Sequence, residues 1–238
     1  MTAIALTLQA VKSRIERAAI AAGRRPHDVS LLAVSKTFPA SYIEDAIEAG
    51  QTAFGESYVQ EAVKKITHIR RAVDWHFIGP IQSNKTAQIA NCFSWVHSVD
   101  RAKIAVRLDA ARPTHLPPLE VCIQVNVSAE FTKSGVAPGE ERELARVIAG
   151  LRRLRLRGVM AIPEPTADMA LQRSRYAEVR RIKEALCAEG YALDTLSMGM
   201  SDDLEAAIAE GATIVRVGTA LFGARPGAAE SGAVESPL

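Results

Sequence analysis

Apolar residues recur along this chain in two alternating registers. Ile4, Leu8, Val11, Ile15, Ala18 and Ala22 return at a spacing near 3.6 residues, and Gly23 and Pro26 stop the run, so the chain opens with an amphipathic helix. Beyond it, short apolar runs rich in β-branched and aromatic residues alternate with longer amphipathic ones. The short runs predict strands over 31–35, 53–55, 75–78, 95–98, 119–125, 156–160, 193–197 and 213–217. The longer runs predict helices near 40–49, 57–70, 83–90, 100–111, 138–149, 168–188 and 202–209. Strict alternation argues for parallel strands, because each parallel return needs a crossover, and a count of eight favours a closed (β/α)8 TIM-type barrel over an open sheet. Only GTALFGARPG separates the last strand from the small polar run AAESGAVESPL, and residues 226–238 are read as a tail. The leading helix is therefore expected to cover the barrel surface left bare by a missing full helix after the last strand, and the tail to be disordered. No Pro/Gly/Ser-rich linker or internal repeat divides residues 1–225, which are read as one domain.

Composition narrows the class without naming it. Of the 238 residues, 48% are hydrophobic and 24% charged, ordinary values for a globular chain with a sizeable core. A net charge of +2 gives no reason to expect nucleic acid or a membrane surface. The local run Arg152, Arg153, Arg155 and Arg157 lacks the interleaved aromatics of an RNA-binding patch and reads as the solvated lead-in to a strand. Cys92, Cys122 and Cys187 are odd in number and far apart, which suits a reducing cytoplasm, and the N-terminus has neither signal-peptide nor membrane-span character. His27, His68, His76, His97 and His115 suggest no metal set. His76, Trp75 and Trp95 read as packed strand residues, and Asn84 and Lys85 as the start of a helix.

Barrels of this kind concentrate chemistry where their strands end. After the first predicted strand comes Lys36; after the second, GESYVQE; after the third, GPIQSNK; after the fifth, Asn126; after the seventh, MGMSDD; after the eighth, Gly218 and Thr219. A lysine at a barrel mouth is partly desolvated, which favours the free amine able to attack a carbonyl, although a solvated loop lysine or an ion-pair partner would look the same. Ser201, Gly218 and Thr219 could cradle a phosphate at the usual place in such barrels, and ordinary capping with a tight turn is the competing account. Asp202 and Asp203 are explained by a helix start, with Asp202 and Glu205 at capping-box spacing. Arg216, alternating with Val215 and Val217, needs acceptors inside the barrel: a buried carboxylate or a ligand ring nitrogen would serve. Amine, phosphate cradle and ring partner are the three grips that pyridoxal 5′-phosphate (PLP) requires.

The phrases AVSKTFP, FGESYVQE, WHFIGPIQSNK, KSGV, LRGVMAIP, LSMGMSDD and VRVGTALFG, in this order over 31–223, resemble the pyridoxal phosphate homeostasis protein family. The resemblance implies a fold-type III PLP barrel similar to the N-terminal domain of alanine racemase. It also implies that Lys36 forms an aldimine with PLP, that Met200, Ser201, Gly218 and Thr219 hold the phosphate, and that Arg216 faces the pyridine nitrogen. Ser57 stands where the family usually has an asparagine, which leaves open whether it contacts the cofactor. Phe131 and Thr132 replace a more usual polar run before Lys133. Neither departure touches the three grips.

Two classes of function remain. One is a carrier, without substrate turnover and with no catalytic residue, that acts in intracellular PLP (vitamin B6) homeostasis and amino-acid and keto-acid balance, with PLP-dependent apo-enzymes as candidate recipients. The other is a PLP-dependent racemase or a Schiff-base aldolase. Racemases on this barrel place a second base, from an added β domain of the partner subunit, across the cofactor, and the chain has no residues to spare for that domain. An aldolase leaves Arg216 without a role. The carrier is therefore expected, which is also what the resemblance implies, and the resemblance further implies a monomer.

Overall fold

The computed structural model describes residues 2–128 and 134–224. The tail over 226–238 and residues 131, 132 and 133 lie outside them. Among the described residues, β1 (Ser30–Val34), β2 (Ala53–Glu56), β3 (Asp74–Phe77), β4 (Trp95–Val99), β5 (Leu119–Gln124), β6 (Leu154–Met160), β7 (Thr195–Ser197) and β8 (Ile214–Val217) are parallel and form a barrel in chain order. Leu32 pairs with Arg216 and Ala33 with Val217, which closes β8 on β1. The helices between them are α2 (Ala40–Glu48), α3 (Val59–His68), α4 (Thr86–Cys92), α5 (Ala102–Ala111), α6 (Glu141–Ala149), α7 (Met169–Ala188) and α8 (Leu204–Ala209), preceded by α1 (Ala3–Ala21) and followed by the single-turn α9 (Thr219–Phe222).

Strand side chains alternate between two environments. Ala33, Phe54, Trp75, Phe77, Val96, Val121, Ile123, Val159, Leu196, Val215 and Val217 belong to the continuous apolar layer between barrel and helices. Leu32, Val34, Cys122, Met160 and Ile214 are buried apart from that layer, inside the barrel. They share this interior with His76, His97, Ser197 and Arg216, all 5% exposed or less, so much of the barrel's centre is polar.

As expected, α1 takes the place of a full final helix. Ile4, Leu8, Val11, Ile15 and Ala19 are its buried face, packed against α2, α8 and α9. The Thr7 hydroxyl donates to the Leu221 carbonyl at 2.7 Å, and just past the helix the Arg24 guanidinium donates to the carbonyls of Ile208 and Ala212 at 2.9 and 2.8 Å.

Two sequence expectations change. Strand β6 begins at Leu154, two residues before the expected start, so Arg155 joins Arg157 within the strand and is not part of a solvated lead-in. Glu120 on β5 and Asp194 make this possible: Arg155 meets Glu120 at 3.0 Å, and Arg157 meets Glu120 at 3.2 Å and Asp194 at 2.5 Å. The Arg157 guanidinium also lies 4.8 Å from the Trp95 ring centre. The capping box of Asp202 with Glu205 does not form. Asp203 is the N-cap of α8, and Glu205 turns to Arg14 in a paired contact at 2.5 and 2.6 Å.

Candidate functional site

Lys36 occupies the turn that ends β1, and that turn is held from beneath. Buried Ser35 donates its hydroxyl to Glu56 Oε1 at 2.6 Å. The Lys65 ammonium, reaching in from α3, donates to the Ser35 carbonyl (2.7 Å), Glu56 Oε1 (2.7 Å) and Glu61 Oε1 (2.5 Å). Glu61 also accepts the Thr37 amide at 2.6 Å, and Thr37 sits at φ 69°, a left-handed conformation that a β-branched residue adopts only under constraint. The residues on both sides of Lys36 are thus tied to one ionic cluster. Burial pushes the Glu56 carboxyl above its ordinary range, with Lys65 and the Ser35 hydroxyl pulling the other way. Sequence reasoning overlooked Glu56, Glu61 and Lys65; the available signal was a Glu–Lys pair four residues apart on the helix after β2.

Because β8 closes on β1, its end lies beside this turn. Gly218 and Thr219 follow β8 directly, and Phe222 of α9 sets its ring centre 5.2 Å from that of Phe38, two residues past Lys36. The loop after β7 meets the same place: the Ala220 amide donates to Ser201 Oγ at 3.4 Å, and Arg14 fixes the Ser201 carbonyl at 2.6 Å. Gly199 opens that loop at φ 90°, where an added Cβ would lie 2.5 Å from Ala207 Cβ. The Met200 amide donates to Asp203 Oδ1 at 2.6 Å, and Asp203 Oδ2 accepts the Tyr176 hydroxyl at 2.7 Å. The second carboxylate of the DD pair is therefore a loop clamp, a role that the helix-start reading did not foresee.

Arg216 forms the inner wall. It is wholly buried, and its acceptors are neutral: Nη1 donates to the Ser197 carbonyl (2.6 Å) and hydroxyl (2.8 Å), and Nη2 donates to the Ala161 carbonyl (2.8 Å). The rest of its N–H groups have no protein partner among the described residues. The expected alternative of a buried carboxylate partner is not found among its hydrogen bonds. Ser57, beyond β2, is partly buried with its backbone against Gly79, where an added Cβ would lie 2.2 Å from the Ser57 carbonyl oxygen. It makes no side-chain hydrogen bond among the described residues. Lys36, Ser201, Arg216, Gly218 and Thr219 thus gather at one mouth of the barrel, with Met200 and Ser57 on adjoining loops. No cluster of metal-ligating side chains occurs among the described residues.

The match to known proteins covers this whole arrangement. The family model for the alanine racemase N-terminal domain matches residues 6–226. Pyridoxal phosphate homeostasis proteins of Pseudomonas aeruginosa and Escherichia coli are 58% identical over 226 residues and 51% identical over 229, covering 94% of this chain and 97% and 98% of theirs. The chain belongs to the pyridoxal phosphate homeostasis protein family. Within the family's fold, PipY of Synechococcus elongatus with PLP bound is 35% identical, with a TM-score of 0.81 over 92% of this chain and all of that one. Alanine racemase of Corynebacterium glutamicum, 16% identical with a TM-score of 0.68 over 92% of this chain and 61% of that one, shares the barrel alone. The curated relatives carry the name of a homeostasis protein and not that of an enzyme. No helix among the described residues is long and apolar enough to cross a membrane.

Proposed function

We propose that this barrel binds PLP at the mouth where β1 and β8 end, holds it covalently at Lys36, and serves as a carrier in cytoplasmic vitamin B6 homeostasis without turning over a substrate. The observation that supports the proposal is the closure of β8 on β1, which brings the ends of those strands, with Lys36, Gly218 and Thr219, next to the Ser201 loop and to a buried guanidinium that has no carboxylate partner. The donor set fits the coenzyme chemically: hydroxyls and amides of Ser201 and Thr219 suit a phosphate, and a fixed N–H donor suits a ring nitrogen. Bound there, the coenzyme supplies an electrophilic aldehyde and an aromatic ring that can delocalise charge.

The protein's own residues define how far that chemistry can go. Arg216 donates a hydrogen bond and keeps its proton, so the ring stays a weaker electron sink than a carboxylate partner would make it. The cluster of Glu56, Glu61 and Lys65 fixes the Lys36 backbone. Met200 supports the phosphate loop through Asp203, and Ser57 lines the mouth from β2. The protein is proposed to act as a monomer and to deliver PLP to apo-enzymes.

Absorbance and intact mass, before and after borohydride, test the reading. Wild-type protein given PLP is expected to be yellow and to gain one reduced adduct at Lys36, whereas Lys36→Ala stays colourless and unmodified. Absence of an adduct at Lys36 in the wild type overturns it. Incubation of the loaded protein with L-alanine in deuterated water separates carrier from racemase: sustained Cα exchange with inversion would establish the enzyme instead.

A further inference from the structure

The interior of the barrel holds a hydrogen-bond chain that the coenzyme grips alone do not require. Arg216 Nη1 meets Ser197 Oγ at 2.8 Å, Ser197 Oγ meets His97 Nδ1 at 2.7 Å, and His97 Nε2 meets His76 Nδ1 at 2.8 Å. Every member is buried. The far end of the chain, His76, lines a cavity of about 710 Å³ at the opposite mouth, together with Ser30, Gln51, Thr52, Asp74 and Trp95. His76 stacks flat on Trp95, ring centres 5.3 Å apart at 2°, which fixes the imidazole plane.

Donor and acceptor counting gives this chain a direction. An arginine can only donate, so Ser197 Oγ accepts from Arg216; His97 Nδ1 is the hydroxyl's one other partner among the described residues, and giving it the hydroxyl proton is the arrangement that leaves no donor between Arg216 and His76 Nδ1 unused. His97 then carries its proton on Nε2 and donates to His76 Nδ1, which leaves the His76 proton on its own Nε2. All the bond dipoles point the same way, with their negative ends towards the guanidinium. Such a chain suits a buried cation that has no carboxylate among its hydrogen-bond partners, because aligned dipoles can stabilise the charge where an ion pair is missing. Burial keeps both imidazoles neutral, as the direction requires.

We propose that His97 and His76 are positioning residues for Arg216: through Ser197 they orient the guanidinium and stabilise its charge, so that its remaining N–H groups face the coenzyme ring. The inference rests on the proposed placement of that ring against Arg216.

Two measurements separate the inference from that placement. In coenzyme-free protein, 15N NMR of the histidine side chains is expected to show both imidazoles neutral and protonated on Nε2; an Nδ1-protonated His97 overturns the chain whatever binds above it. In loaded protein, His97→Leu is expected to shift the visible band of the Lys36 linkage and to weaken coenzyme retention by up to about tenfold, the loss expected for one hydrogen bond between neutral groups. His97→Gln, whose amide can accept from Ser197 and donate to His76, restores both. In an Arg216→Met background the His97→Leu change has no further effect. Equal weakening with and without Arg216, or a wild-type spectrum and retention in His97→Leu, overturns the inference. If His97→Leu fails to fold, His76→Leu gives the same comparison from the cavity end. A wild type that forms no Lys36 linkage defeats the coenzyme reading, and the NMR result still decides the chain.

Discussion

Glu56 and Lys65 keep two opposite charges out of water to hold one turn. Lys65→Met would leave the Glu56 carboxylate buried with only a serine hydroxyl against it, a change that typically costs about 3–5 kcal/mol. Urea unfolding is expected to show that loss, and the double variant Glu56→Gln with Lys65→Met should recover most of it. A single variant within about 1 kcal/mol of wild type would show that the cluster does not hold the turn. The interior histidines supply a second prediction at this scale. In the folded protein burial pushes His76 down to about 3 and His97 well below 6.5, whereas the unfolded chain takes up protons near 6.5. Their stabilising contribution is complete above pH 6.5 and is lost as pH falls below it, by about 1.4 kcal/mol per pH unit for each histidine. Stability measured between pH 6.5 and 5 should therefore fall less steeply in His76→Gln, by that amount. Lys36 was legible in the sequence because it follows an apolar run directly. Lys65 was not, since an amphipathic helix shows many lysines and only the fold brings this one under β1.

The strands and helices themselves were largely legible, because alternating burial periods of two and 3.6 residues repeat through the chain. The misreadings share one cause: polar residues satisfied by partners distant in sequence. Arg155 and Arg157 extend β6 because Glu120 and Asp194 meet them, and Asp203 gives its carboxylate to the Met200 amide and Tyr176 in place of its own helix. The loop between β7 and α8 depends equally on Gly199. Gly199→Ala combines a left-handed backbone with a Cβ 2.5 Å from Ala207, so the loop must move. The expected result is a loss of about 1–3 kcal/mol in stability and weaker PLP retention with the far-ultraviolet spectrum unchanged. Retention equal to wild type would remove this loop from the phosphate site.

At the scale of the molecule, closure decides function and stability together. The sequence announced eight strands at the right spacing, but not that three loops would converge beside Lys36, since that follows only when β8 meets β1. Leu8 of α1 is 1% exposed within the helix layer formed with α2, α8 and α9, and Leu8→Ala should cost about 2–5 kcal/mol. Tryptophan fluorescence and circular dichroism should then report one shared unfolding transition at lower urea. A separate early loss of helix would mean that α1 melts independently of the barrel.

The hydrogen bond from Thr7 to the Leu221 carbonyl spans 214 residues. During synthesis α1 can meet α2 early, but the rest of its seat waits until α8 and α9 have been made. Part of its apolar face stays uncovered until those late elements emerge. Contacts of such separation slow folding, so closure of the barrel is expected to be among its last steps. The coenzyme mouth, built from the same first and last elements, would become competent in that final step.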